Sequence, residues 1–333
     1  MLTTQHIAAN SLRDNASAGV RARIERLTME MGSGRTSDAG RALASDFSEV
    51  SRVVHGLRTL ETRAAALSGA EMWLEGGQAG LDAVARSSER LDETLQVALA
   101  PGDTPQFDQA AGVARAALTD MASALSQTHD GRAVFGNGSA DGASPVDLEV
   151  LLAETAAIAA AAPDAETMIR DLEAYFAPGG NVERGALGDF PADPAVFPLG
   201  DGDAISMPFS AREDAVRSVL LTASIVASLP QAGFALTGAD VETLRAEMSA
   251  RGVGDRADVA TLQGRMGAVQ SRVADRVEGL EAARLTLEGQ KNDMLAADPY
   301  ETATRLQEAM TKLETLYAIT ARRSRLNLTE FLR

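Results

Sequence analysis

The chain has 333 residues, of which 45% are apolar and 23% charged, so it can bury a core and is not disordered along its whole length. Its net charge of −16 argues against nucleic acid as the main partner, because phosphate binding requires a positive surface. The absence of cysteine excludes thiol catalysis, disulfides and cysteine-ligated metals. With nine Phe, three Tyr and one Trp, the core is expected to consist of helices packed through Ala, Leu and Val.

The first predicted element is an amphipathic helix within residues 17–31. Its apolar residues Val20, Ile24, Leu27 and Met31 follow one another at spacings of 4, 3 and 4, which places them on one helical face. No cleavable signal is expected before it, because the first residues form neither a basic leader nor an apolar stretch. We define residues 1–40 as a predicted N-terminal assembly helix.

A seven-residue apolar repeat occupies the next segment. Its members are Val53, Leu60, Leu67, Leu74, Leu81 and Leu95. This spacing is typical of a coiled-coil seam, and the stretch would form a rod of roughly 60 Å. A shorter helix follows, for which Thr104 is the expected N-cap and Pro105 the first helical residue. Residues 41–130 are therefore predicted to be the N-terminal half of a helical rod.

The composition changes over residues 131–210, which are rich in proline and acidic residues and are predicted to form an outer insert domain. Two helical stretches, 146–162 and 164–176, precede a hairpin in which two short apolar runs flank a Gly-Asp-Gly-Asp turn at 200–203. The acidic turn itself is expected to be solvated. The insert is thus expected to be a small mixed α/β-hairpin domain that faces outward.

Helical patterning returns over residues 211–297, the predicted C-terminal half of the rod. A second heptad series contains Met266, Val273, Leu280, Leu287 and Met294. Two heptad segments of similar length predict an antiparallel pair. The expected fold class is therefore mainly α, a long antiparallel coiled-coil helical bundle formed by the N- and C-terminal regions, with the small mixed insert between them.

Residues 298–333 are predicted to be a C-terminal assembly helix. Asp298 is the expected N-cap and Pro299 the first helical residue. Both terminal helices are short and marginal alone, so we expect residues 1–35 and 300–333 to be largely disordered in the free monomer and to become ordered in an assembly. The predicted assembly interface comprises Val20, Ile24, Leu27, Met31, Leu306, Met310, Leu313, Tyr317, Leu326, Leu328 and Phe331.

Signatures of catalysis, cofactor binding and metal binding are missing from the sequence. His6, His55 and His129 are far apart, so a metal cluster is not expected. The glycine-rich run at 136–142 has no Lys-Ser/Thr ending, so it does not predict a phosphate loop. No apolar run approaches the roughly 20 residues of a membrane-spanning helix, so membrane insertion is not expected.

Three segments resemble proteins of the bacterial flagellum. RIERLTMEMGSGRTSDAG at 23–40 and DPYETATRLQEAMTKLETLYAITARRSRLNLTEFL at 298–332 resemble the terminal blocks of the flagellin superfamily. GRAVFGNGSADGASPV at 131–146 and the final LNLTEFL are more similar to the hook-filament junction proteins, the third hook-associated protein family. The DDAAG block of flagellins is absent, which weakens the resemblance to flagellin itself.

The resemblance implies a structural adaptor that joins the flagellar hook to the filament and is not an enzyme. It further implies type III export without a cleaved signal, an extracellular location, and partners that include the first hook-associated protein, flagellin, an export chaperone and copies of the same chain in a ring. A short flagellin, the filament subunit, is the alternative. A more remote alternative is another type III secreted coiled-coil protein.

Overall fold

The structure, a computed structural model, describes residues 2–37, 47–98, 107–139, 144–188 and 190–331, and within these ranges the side chains of residues 15–322. It divides into two compact units. Unit 1 consists of Met1–Glu61 and Leu280–Arg333, and unit 2 is Thr62–Gly279. The five segments predicted from the sequence remain a prediction.

The described part of the chain is mainly helical, and this confirms the predicted fold class. The strands form two antiparallel pairs, β1 with β2 and β3 with β4. The helices are α1 (Leu2–Ser33), α2 (Ser48–Ala98), α3 (Phe107–Leu125), α4 (Leu148–Ala161), α5 (Ala165–Phe176), α6 (Asp214–Ser228), α7 (Gly238–Met294) and α8 (Pro299–Phe331), and the strands are β1 (Thr128–His129), β2 (Arg132–Ala133), β3 (Val196–Gly200) and β4 (Asp203–Ser206).

The helix α2 contains the first predicted heptad seam. Val53, Leu67, Leu74, Leu81 and Leu95 of this seam are all buried, whereas Leu60 is partly exposed. The predicted N-cap Thr104 of the following helix lies outside the described residues, which resume at Phe107.

Within unit 2, α2 and α7 run antiparallel. The side-chain amide of Gln78 donates to the carbonyl of Gln263 at 3.2 Å, and the amide of Gln263 donates to Asp82 at 2.7 Å. Further along α2, Asp92 pairs with Arg256, which comes earlier in α7. Residues later in α2 thus contact residues earlier in α7, so the two helices are antiparallel, as the paired heptads predict. The helix α7 is longer than expected, because it continues through residues 251–265 without a break.

The core of unit 2 centres on α6, whose residues are almost all buried. The helices α3, α4 and α5 pack against it. Because α6 is covered on nearly every side, it lacks the polar face of a surface helix. Its sequence, AVRSVLLTASIVAS, accordingly consists almost entirely of apolar and small residues.

The hairpin β3–β4 forms as predicted, and side chains of the segment 131–210 contribute to the core of unit 2. Phe197 of β3 packs edge-on against Trp73 of α2, with ring centroids 5.8 Å apart. Phe135 packs in the same way against Phe209, at 5.3 Å. The acidic turn of the hairpin is not merely solvated, since it carries two ion pairs, Asp201 with Arg63 and Asp203 with Arg276.

The terminal segments differ from the expectation of disorder, since residues 2–33 and 299–331 are helical. The physical reason is that α1 packs against α8 within unit 1, so each helix provides the partner that the other would lack alone.

Candidate assembly surface

The end of α1 and the start of α8 are joined by a short backbone ladder. The amide of Thr36 donates to the carbonyl of Leu295 at 2.9 Å, and the amide of Ala297 donates to the carbonyl of Gly34 at 2.9 Å. Gly34 has a φ of +68°, a conformation that glycine adopts without strain. This ladder fixes where the two helices begin to run side by side.

Asp298 caps α8, as the sequence predicts. Its Oδ1 accepts the backbone amides of Tyr300 at 2.8 Å and Glu301 at 3.1 Å. Two of the otherwise unpaired amides of the first turn are thereby satisfied. The carboxylate also lies at the positive end of the helix dipole, which favours it further.

The seam between α1 and α8 is narrow. Leu27 of α1 is 4% exposed, and Thr302 and Ala309 of α8 are each 4% exposed. Glu30 is buried beside Leu27, and its Oε1 accepts the backbone amide of Ser37 at 2.9 Å and the Ser37 hydroxyl. The carboxylate therefore holds the chain close to the end of α1.

The eleven predicted interface residues divide by exposure. Leu27 is buried in the seam, and Val20, Ile24, Leu306 and Leu313 are partly buried. The side chains of Leu326, Leu328 and Phe331 lie outside the described residues. The remaining three are about half exposed in this chain, Met31 at 51%, Met310 at 50% and Tyr317 at 47%.

Tyr317 is held in place by Arg21 of the neighbouring helix. The guanidinium donates to the phenol oxygen from Nε at 3.0 Å and from Nη2 at 2.5 Å. The charged group also lies 5.7 Å from the centroid of the ring. The exposed ring is therefore fixed in orientation across the two helices, and this leaves less side-chain entropy to lose when a partner covers it.

The sequence analysis missed the residues that form the seam on α8. Thr302 and Ala309 are seven residues apart and buried, whereas the larger Met310 and Tyr317 are about half exposed. The heptad spacing of these smaller residues was visible in the sequence.

A second exposed face of α8 is less polar than its sequence indicates. The hydroxyls of Thr304, Thr311 and Thr315 donate to the backbone carbonyls four residues earlier, at 2.9, 2.9 and 2.8 Å. Their methyl groups are left to form the outer surface. Together with Gln307, Glu308, Lys312 and Leu316 they line an open groove of about 610 Å³.

Charge is distributed unequally between the two units. Unit 1 has sixteen basic and fifteen acidic residues, a net charge of +1. Unit 2 has fifteen basic and thirty-two acidic residues, a net charge of −17. The apolar stripes of α1 and α8 therefore belong to the unit that is nearly neutral.

The described ranges contain no group of three or more His, Asp or Glu side chains arranged to bind a metal. None of the helices described there combines the length and hydropathy needed to cross a bilayer.

A comparison with curated proteins finds no significant match. A comparison with protein families matches residues 254–332, about a quarter of the chain, to the model described as the bacterial flagellin C-terminal helical region. The matched residues cover the second part of α7 and all of α8. In this region the chain is similar to the C-terminal helical region of bacterial flagellins.

Proposed function

We propose that this protein is a structural adaptor that joins the hook of the bacterial flagellum to its filament. In this proposal α1 and α8 form the assembly surface, and neighbouring subunits pack against Met31, Met310 and Tyr317. The observation that carries the proposal is the α1–α8 pair, which buries a narrow seam and leaves large apolar side chains about half exposed. Contiguous apolar side chains at a protein surface are typical of interaction sites.

The distribution of charge supports the same arrangement. Copies of a nearly neutral unit can approach closely, whereas copies of a unit with a net charge of −17 repel one another. Subunits in a ring or tube would therefore pack through unit 1. The expected partners are the first hook-associated protein, flagellin and other copies of this chain, with an export chaperone before assembly.

A short flagellin is the second candidate function. It is favoured by the family match, because the matched model describes the C-terminal helices of flagellins. The two functions differ in copy number and in self-assembly. A filament subunit polymerises with its own copies in large number, whereas an adaptor occurs in a few copies at one position.

Deletion of the gene followed by electron microscopy separates the two functions. For an adaptor we expect bare hooks, with filament subunits shed into the medium. For a short flagellin we expect bare hooks and no other filament subunit in the medium. Normal filaments after the deletion would end both proposals.

Complementation with variants tests the assembly surface itself. Met310→Asp places a charge on the half-exposed stripe, so we expect a folded and exported protein that fails to restore filaments. Val253→Asp is the matched control, because Val253 is 63% exposed, lies in unit 2 and undergoes the same chemical change. If both variants restored filaments equally, the stripe would not be the assembly surface.

A further inference from the structure

Asp255 is a charged residue at the packed centre of unit 2. It is 1% exposed and lies on the side of α7 that meets α6. Its carboxylate accepts hydrogen bonds from the hydroxyls of Ser218, at 2.5 Å, and Thr222, at 2.6 Å. Both donors are neutral, so they orient the carboxylate without neutralising its charge.

A second carboxylate, Asp92 of α2, is buried near it. Asp92 is 7% exposed and faces α7 at Gly252. A Cβ atom at that glycine would lie 2.7 Å from the Asp92 Oδ2, so the carboxylate is seated directly against the α7 backbone. Arg256 donates to Asp92 at 3.0 Å, but its own side chain is 46% exposed.

Charged groups of both signs surround the two carboxylates. On α2 the neighbour is Glu89, and on α7 the neighbours are Arg251, Arg256 and Asp258. The guanidinium of Arg251 is also paired with Glu173 of α5 and with Glu247. On α6 the groups that face Asp255 are the two hydroxyls.

Burial raises the pKa of both carboxyls. For Asp255 the hydroxyl donors and Arg251 oppose burial in part, and for Asp92 Arg256 opposes it. The negative charge of Asp255 adds to the effect of burial on the pKa of Asp92. Both groups therefore bind a proton more readily in the folded protein than an aspartate in water does.

We propose that proton binding by Asp92 and Asp255 tightens the packing of α2, α6 and α7, so that unit 2 is a pH-responsive element that is more stable in mildly acidic than in neutral solution. The sign follows from linkage. A carboxyl whose pKa is higher in the folded state keeps its proton in the fold while the unfolded chain has lost it. The free energy of unfolding then falls as the pH rises from the pKa of the carboxyl in the unfolded chain to its higher pKa in the folded protein.

Two other carboxylates of unit 2 act in the opposite direction. The hydrogen bond from Arg276 lowers the pKa of Asp203, and the hydrogen bonds from Thr237 and Ala165 lower the pKa of Asp240. Their contribution to stability is lost only as the pH falls below the usual aspartate range, so it changes little between about pH 5 and about pH 8. The contribution of the buried pair has to be obtained by comparing variants.

Urea unfolding of the full chain between about pH 5 and about pH 8 provides this comparison. Fluorescence of Trp73, the single tryptophan, reports on unit 2, because its ring is 1% exposed in the core of that unit. The variants are Asp255→Asn and Asp92→Asn. Glu93→Gln is the matched control, since Glu93 is the next residue along α2, is exposed and loses the same charge.

We expect both Asn variants to lose less stability than the wild type as the pH rises, and Glu93→Gln to follow the wild type. The proposal would be overturned if the urea midpoints of both Asn variants changed with pH as the wild-type midpoint does. If Asp255→Asn does not fold, the comparison of Asp92→Asn with the wild type tests the proposal. Carboxyl NMR of the wild-type protein is an independent test, and a titration of both groups in the usual aspartate range would also overturn the proposal.

Discussion

Two adjacent glycines of α2 provide a sharp test of how the core of unit 2 is packed. A Cβ atom at Gly77 would lie 2.5 Å from Cζ of Phe209 and 2.6 Å from Cε of Met266, closer than such atoms can approach. A Cβ atom at Gly76 would lie 3.7 Å from Cγ2 of Val134, an ordinary contact distance. We therefore expect the same substitution, glycine to alanine, to stabilise the protein at Gly76 and to be less favourable at Gly77.

The magnitude follows from two contributions. Replacing glycine by alanine inside a helix stabilises it by about 1 kcal/mol, and this gain is the same at both positions. Forcing an extra methyl group into a packed core costs about 1–3 kcal/mol, and this cost arises only at Gly77, because Phe209 is buried. Gly76→Ala should thus be more stable than Gly77→Ala by about 1–3 kcal/mol, or by roughly 3–9 °C in midpoint for a unit of this size.

Thermal unfolding followed by circular dichroism measures this difference, and Trp73 fluorescence assigns it to unit 2. We expect Gly76→Ala to melt above the wild type and Gly77→Ala below Gly76→Ala. Equal melting temperatures for the two variants would refute the close approach of Phe209 to α2.

Four further changes to the chain test other parts of the fold. Leu67→Asp should abolish cooperative melting of unit 2, because Leu67 is 1% exposed and a buried unpaired charge costs several kcal/mol. Leu280→Asp should lower stability less, because Leu280 is partly exposed. Equal losses of stability in the two variants would contradict this expectation. Replacing residues 140–207 by a Gly-Ser linker should expose Trp73 to water, since Phe197 is removed, and an unchanged emission maximum would argue against that contact. Removing residues 326–333 should leave the melting of unit 2 unchanged and abolish filament formation, and a lower melting temperature would show that these residues stabilise unit 2.

The long helices could be predicted because the apolar heptad pattern that indicates them is local in the sequence and repeats many times. In α2 the heptad positions recur over six heptads, from Val53 to Leu95, so the polar Ser88 at one of these positions does not obscure the pattern. The hairpin was predictable for a related reason, since its Gly-Asp-Gly-Asp turn requires residues that tolerate positive φ, as Gly200, Asp201 and Gly202 do.

The continuity of α7 could not be predicted from local pattern. Gly252, Gly254 and Gly264 interrupt the apolar periodicity, and glycine lowers helix propensity. In the structure Gly252 lies where the carboxylate of Asp92 approaches, a contact between residues 160 positions apart. Buried Val259 and Leu262 hold this part of the helix against its neighbours, and tertiary packing therefore outweighs propensity.

The candidate assembly surface could be predicted only in part. The apolar stripes of α1 and α8 were visible, but the sequence does not show which of two adjacent stripes on α8 faces α1. The small residues Thr302 and Ala309 face inward because they let the helix backbones approach closely. The larger Met310 and Tyr317 are consequently displaced to the flank of the pair, where they are available to another molecule.

The contact between Arg21 and Tyr317 also bears on how the chain is made. The two residues are 296 positions apart, so a ribosome must complete nearly the whole chain before α1 can meet α8. Unit 2 is continuous in sequence and can fold earlier, because its residues have already left the ribosome. A prematurely terminated product would therefore contain a folded unit 2 and an unpaired α1. Complete synthesis is thus a condition for forming the α1–α8 surface at all.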